Sequence, residues 1–337
     1  MSTAIPATFR ALRVHAEGGQ HRVAIERISL DDLSPGNVVI RVAYSGINYK
    51  DALAVTGKGR ILRGSPRIPG IDLAGHVVSS EDARYKPGDA VLVTGCNIGE
   101  QIDGGYSEYA RLPADALVAL PSGLTLEEAM AIGTAGFTAA LALQRMLDNH
   151  QNTTMGSILV TGATGGVGGI ALSIFKAHGF KTAALTGKPQ AAEYLHSIGA
   201  DEVIDRQSVI MGSKPLEGAL WGGAVDNLGG DTLAWLTRTV KPWGNIASIG
   251  LAQAHTLNTT VMPFLLRGVS ILGIHSVECP RAWRLELWKH LSTDWKPLGL
   301  LSRIATRTVT LDDLTTVCEE YIAGSVTGRT LVKLAAG

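Results

Sequence analysis

The stretch VTGATGGVGGIAL, residues 160–172, runs from an apolar strand-like segment through a glycine turn into an apolar helix-like pattern. Within it, Ala163-Thr164-Gly165-Gly166-Val167-Gly168 has the spacing of the dinucleotide fingerprint, with alanine in place of the first glycine. In that fingerprint the middle glycine lets a pyrophosphate approach the backbone, and the last lets helix and strand pack closely. The helix N-terminus then offers unpaired N–H groups and a partial positive charge to the phosphates. Glycine turns are common, so position has to decide between a nucleotide cradle and a plain tight turn.

Position favours the nucleotide. SILVTG is followed by a helical run, KTAALTG by QAAEYLHSIG, GAVDNLGG by DTLAWLTRTVK, and NIASIG and SILGIHS close the series. Apolar strands alternating with helices predict an α/β fold with a doubly wound parallel sheet. About twenty residues past the glycines, where a plain dinucleotide would meet an acidic residue, the chain reads Thr186-Gly187-Lys188. A hydroxyl and an ammonium there suit a 2′-phosphate, and Arg206 after the third strand could add a second cation. The alternative is that Lys188 and Arg206 are ordinary surface charges. The expected cofactor is NADP(H).

The first third has a different texture. RALRVHA, RVAIERIS, NVVIRVAYSGI, AGHVVSS and DAVLVTG are short strands separated by SPG and KPGD turns, with a helix expected to begin near Tyr49. From about Arg303 the chain returns to strand texture around one helix. The expected division is a β domain from 1–125 and 303–337, with a cofactor domain over 126–302. Of the 337 residues 45% are hydrophobic, 18% are charged, and thirty basic residues balance thirty acidic ones. That balance speaks against nucleic acid as the main partner. Lys58, Arg60, Arg63 and Arg67 form a local basic cluster, either a solvated loop or a phosphate contact. Cys96, Cys279 and Cys318 are scattered, which fits a reducing compartment better than a disulfide framework. The N-terminus lacks an apolar signal-type core and no stretch nears ~18 uninterrupted apolar residues, so a cytoplasmic protein is expected and no membrane contact.

Taken together, PGIDLAGHV, the Ala-x-Gly-Gly-Val-Gly turn and GRTLVKL resemble the medium-chain dehydrogenase/reductase superfamily over essentially the whole chain. The blocks NYKD, TGKG and PGID in that order resemble its acrylyl-CoA reductase branch, which is related to the quinone oxidoreductases. The resemblance implies a GroES-like β domain beside a Rossmann cofactor domain. It implies that Tyr49 lines the reaction centre near the nicotinamide and could bind cofactor, steady an enolate or donate a proton. Asn48 could orient a carbonyl or cap the helix, whereas Asp51 reads as a first-turn carboxylate without chemistry. By the same resemblance Gly250, Leu251, Ser276 and, more weakly, Gly324 meet the cofactor. His275 and Asp226 read as structural, Asp226 closing a turn.

Zinc enzymes of the superfamily carry an imidazole where this chain has Ile71, and their four-cysteine lobe is missing, so no metal is expected. Without a Lewis acid the reading moves from alcohols to substrates that accept hydride unaided. The expected reaction is NADPH-dependent reduction of an α,β-unsaturated thioester, acrylyl-CoA to propionyl-CoA, with Arg60, Arg63 and Arg67 meeting coenzyme A phosphates. The alternatives are a quinone oxidoreductase and a non-catalytic, crystallin-like NADPH-binding protein. A homodimer joined along the SILGIHSV edge is expected.

Overall fold

Apolar runs set the strands of this computed structural model, which describes residues 5–334. The ends of the expected β domain, residues 1–4 and 335–337, lie outside the described residues. Two units emerge, one comprising 1–134, 277–292 and 305–337 and the other 135–276 and 293–304.

The first unit opens with the antiparallel pair β1 (Phe9–Glu17) and β2 (Gln20–Ile28). β3 (Val38–Gly46) leads into α1 (Tyr49–Thr56), followed by β4 (Asp72–Ser80), β5 (Ala90–Thr94), β6 (Tyr109–Leu112) and β7 (Val118–Ala119). α1 starts at Tyr49, where the sequence places it, and stops at Gly57, whose φ of 69° is the left-handed conformation glycine tolerates. α2 (Leu126–Asp148) begins with a capping box, Thr125 Oγ1 accepting the Glu128 N–H while Glu128 accepts the Thr125 N–H. It is the one helix among the described residues long and apolar enough to cross a membrane, and 78% of its apolar window is buried in protein. α2 is interrupted at Gly133, which sits at φ 51°, ψ −161°.

The second unit alternates strand and helix: β8 (Ile158–Thr161), α3 (Gly166–Ala177), β9 (Thr182–Thr186), α4 (Ala192–Ser197), β10 (Glu202–Asp205), β11 (Gly223–Asp226), α5 (Gly230–Thr239), β12 (Asn245–Ser248), α6 (Met262–Arg267) and β13 (Ser270–Gly273). Every strand pair in its sheet is parallel, and the spatial order is β10-β9-β8-β11-β12-β13. Counted from β8 this is the 3-2-1-4-5-6 order of a doubly wound sheet, with its reversal between β8 and β11. All four residues of β8 and all five of β9 are buried, as strands covered on both faces must be.

The chain then returns to the first unit with α7 (Arg281–Leu291), β14 (Arg307–Val309), α8 (Leu314–Ile322) and β15 (Thr330–Lys333). β15 pairs with β3 and completes the order β14-β15-β3-β4-β5-β7, with β6 also on β3. Residues 277–292 group with this unit, although the sequence reading runs the cofactor domain unbroken over 126–302. The reason is Arg284, 2% exposed, which donates to the Thr94 carbonyl at 2.7 Å and to the Val277 carbonyl at 3.0 Å. A buried guanidinium needs such acceptors, and β5 supplies the Thr94 carbonyl.

Candidate active site

The glycine turn connects β8 to α3 at the point where strand order reverses, the place where open α/β sheets bind ligands. Gly162 takes φ 59°, and a Cβ on Gly168 would lie 2.5 Å from the Gly162 carbonyl oxygen, so only glycine lets α3 approach the strand this closely. α3 starts without a side-chain cap at Gly165, leaving its first-turn N–H groups, from Gly166, Val167 and Gly168, to an outside acceptor. Beneath the turn, Asp226 is fully buried and accepts from Thr161 Oγ1 at 2.8 Å and the Gly229 N–H at 2.8 Å, while Asn227 Nδ2 donates to the Thr161 carbonyl. Burial raises the Asp226 carboxyl, and its hydrogen bonds oppose that shift. Asp226 thus closes a turn, and the turn it closes braces the glycine loop.

β9 ends on Thr186, 2% exposed, whose hydroxyl accepts the Lys188 N–H at 3.0 Å and bends the chain outward. Burial lowers the Lys188 ammonium from its ordinary value. Arg206, exposed just past β10, reaches across: a Cβ on Gly187 would stand 3.6 Å from Arg206 Nη2. Gly187, Lys188 and Arg206 are therefore brought together at one sheet corner. Asp205, in register with Thr186 across the sheet, accepts the Gln207 N–H at 2.9 Å. Tyr194 on α4 was not found by sequence reasoning. Its hydroxyl is buried without a hydrogen-bond partner, 3.1 Å from where a Gly169 Cβ would be, and burial pushes it up to about 12. No local motif marks such a donor, because its enclosure arises from packing of α4 on α3.

Ala163, Thr164 and the segments that follow β12 and β13 lie at the same carboxyl edge of the sheet. Gly250 follows β12 so tightly that a Cβ would meet the Asn227 carbonyl oxygen at 2.5 Å, and Leu251 is 65% exposed beside it. Ser276 is buried three residues past β13, after an exposed His275. Gly324 lies in the first unit, ending α8 at φ 69°, a role that accounts for the glycine by itself.

In the first unit Tyr49 is the first residue of α1 and is 48% exposed. Asn48 stands just before it as the N-cap, one of the two roles the sequence leaves open for it. Its Nδ2 donates to Asp72 Oδ2 at 2.7 Å and Asp51 Oδ2 at 3.1 Å, and its Oδ1 accepts from Arg329 Nη1 at 2.9 Å. Both amide protons and one lone pair of the oxygen are engaged by protein groups. Asp51 is the N3 residue of the capping box, accepting the Asn48 N–H at 2.9 Å and, through Oδ1, the Ile71 N–H at 2.9 Å. Burial, and then the neighbouring Asp72 charge, push Asp51 up to about 7. Ile71 is itself buried. Among the described residues no three His, Cys, Asp or Glu side chains gather as a metal ion would require, and the three cysteines are free thiols.

Of the basic cluster, Arg67 differs from the expected phosphate contact: its Nη1 donates to Ser34 Oγ at 2.6 Å and pairs with Asp103 at 3.4 Å, largely out of solvent. Lys58 pairs with Glu319 at 2.8 Å, whereas Arg60 and Arg63 are exposed.

A doubly wound cofactor sheet combined with this β unit defines a class, and residues 34–122 match the alcohol dehydrogenase GroES-like domain while 166–293 match the family described as zinc-binding dehydrogenase. The chain belongs to the medium-chain dehydrogenase/reductase family and is an oxidoreductase of that family. It is 47% identical over 327 residues to "Putative quinone oxidoreductase YhfP" of Bacillus subtilis (strain 168), covering 97% of this chain and 99% of that one. It is 44% identical to acrylyl-CoA reductase AcuI of Ruegeria pomeroyi, covering 96% of this chain and 98% of that one. The yhdH oxidoreductase of Salmonella enterica, solved in complex with NADP, superposes with a TM-score of 0.93 at 42% identity, covering 97% of this chain and all of that one. The B. subtilis protein yhfP was solved with NAD bound and also gives 0.93, at 46% identity, covering 98% of this chain and all of that one.

Proposed function

We propose that the chain is an NADPH-dependent, zinc-independent reductase of the carbon–carbon double bond of an α,β-unsaturated thioester, most simply acrylyl-CoA to propionyl-CoA. The observation that carries the reading is the sheet corner where the Arg206 guanidinium reaches over Gly187, between Thr186 and Lys188 in the chain. The name of the Ruegeria relative supports the substrate class. In this reading the α3 first turn holds the pyrophosphate, and Thr186, Lys188 and Arg206 hold the 2′-phosphate. The unpartnered Tyr194 hydroxyl fits a phosphate ligand in the same unit. NADPH, when bound, supplies the hydride that the β-carbon accepts. Ile71 in place of an imidazole leaves the chain without the family's zinc donor set, so the thioester carbonyl itself must draw charge from the β-carbon. Tyr49 is the proposed side chain at the reacting end, placed to steady the enolate or pass a proton to its α-carbon.

Arg60 and Arg63, exposed on one loop, are the proposed contacts for coenzyme A phosphates. The decisive comparison is NADPH consumption with acrylyl-CoA against quinones at matched concentration. Turnover of the thioester with a Michaelis constant raised about 10-fold in Arg60→Ala/Arg63→Ala is expected. Turnover of quinones alone would replace this reading with quinone reduction, which the YhfP name favours, and tight NADPH binding without turnover would point to a non-catalytic role.

We extend the proposal to a cytoplasmic homodimer joined at β13. β13 is the outer strand of its sheet, and Leu265 and Leu266 on α6 just before it are 74% and 61% exposed. Sedimentation should give twice the 35.4 kDa chain mass, and a monomer at micromolar concentration would rule the arrangement out.

A further inference from the structure

An ordinary helix of eight residues is started adequately by one capping side chain, which contributes about 1 kcal/mol. α1 has far more than that at its start. Asp72 and Arg329, 0% and 2% exposed, converge on the Asn48 side chain from β4 and from the residue before β15. The remaining Asp72 oxygen accepts the Thr134 N–H at 2.9 Å and Thr134 Oγ1 at 2.6 Å. Arg329 has five N–H donors, and all find acceptors: Ala131, Met130 and Ile47 carbonyls, Asn48 Oδ1 and Asp72 Oδ2. The break in α2 at Gly133 makes this possible, because it turns the Thr134 N–H and the Met130 and Ala131 carbonyls out of the helical ladder. A Cβ on Gly133 would sit 2.5 Å from Arg329 Nη2 and 2.6 Å from Asp72 Oδ2, so only glycine leaves room for the pair.

Buried ion pairs are poor stabilisers compared with apolar packing of the same volume, and their better attested use is to fix one geometry. The geometry fixed here is the first turn of α1. Tyr49 follows Asn48 directly, and among the described residues nothing hydrogen-bonds its hydroxyl, so the helix start is the hydrogen-bonded element that anchors it.

We propose that Asp72 and Arg329 are positioning residues: through the Asn48 amide they set the first turn of α1 and with it the direction of the Tyr49 side chain. This rests on the reading that Tyr49 meets the reacting groups. The test uses Asp72→Asn in the full chain labelled with 3-fluorotyrosine, the Tyr49 resonance being assigned with Tyr49→Phe. The fluorine line of Tyr49 should move or broaden. The rate constant for thioester reduction should fall by about 10- to 100-fold, the loss that misplacing a reacting group by about an ångström brings. The NADPH dissociation constant should stay within about 2-fold, because the cation corner belongs to the other unit. Thr134→Val removes a single hydroxyl contact to Asp72 and provides the same readouts should Asp72→Asn not fold. A Tyr49 line unmoved in a folded variant overturns the proposal, as does a kcat that falls only with the folded fraction. The fluorine readout needs no substrate, so a wild-type protein inactive on thioesters would sink the functional reading while leaving this one decided by the spectrum.

Discussion

Replacing Lys188 and Arg206 together by alanine should raise the dissociation constant for NADPH by about 10²-fold, since each hydrogen bond to a charged group contributes about 1.5–3 kcal/mol and Arg206 is exposed enough to sit at or below the lower end. The constant for NADH should change by less than about 2-fold, because NADH has no 2′-phosphate for these cations to meet. Gly187→Asp should go further and reverse the preference, repelling the phosphate and accepting from a free ribose hydroxyl. Calorimetric titration with both dinucleotides settles it. Equal losses for the two would mean that the corner does not read the phosphate. The relative solved with NAD bound on the same fold makes the comparison worth having.

Arg329→Met should cost about 3–5 kcal/mol, the usual result of leaving a buried charge without its partner. The lost guanidinium uncovers Asp72, 0% exposed, and strands the Met130, Ala131 and Ile47 carbonyls. Adding Asp72→Asn to Arg329→Met should recover part of the loss, since the uncompensated charge goes too. Urea unfolding of the single and double variants measures both effects. A single variant within about 1 kcal/mol of wild type would mean that water or a relaxed backbone replaces the arginine.

The cofactor unit was legible because its signals are local. The glycine turn, the buried β8 and β9 and the absence of a carboxylate at Gly187 all lie in the one stretch 158–187, and parallel order follows from alternation. Arg206 could be placed because it follows its strand directly. The α1 start was only half legible. Asn48 and Asp51 read as cap and first-turn carboxylate, and they are. How fully the Asn48 side chain is engaged could not be read, because its partners Asp72 and Arg329 are 24 and 281 positions away. Arg67 shows the same limit: a run of basic residues looks like one surface feature until Ser34 and Asp103 claim one member. Gly133 stands among apolar residues, Ala131, Ile132 and Ala135, with no local mark of a break. Its torsions follow from the charges packed against it, which a helical pattern does not record.

Arg329 also imposes an order of assembly. The side chain that locks the Asn48 amide lies 281 positions further along the chain than the residue it locks. During synthesis, more than two hundred and fifty residues follow Asp72 before its arginine partner is made. A chain that ends before Arg329 cannot close the arginine-locked start of α1.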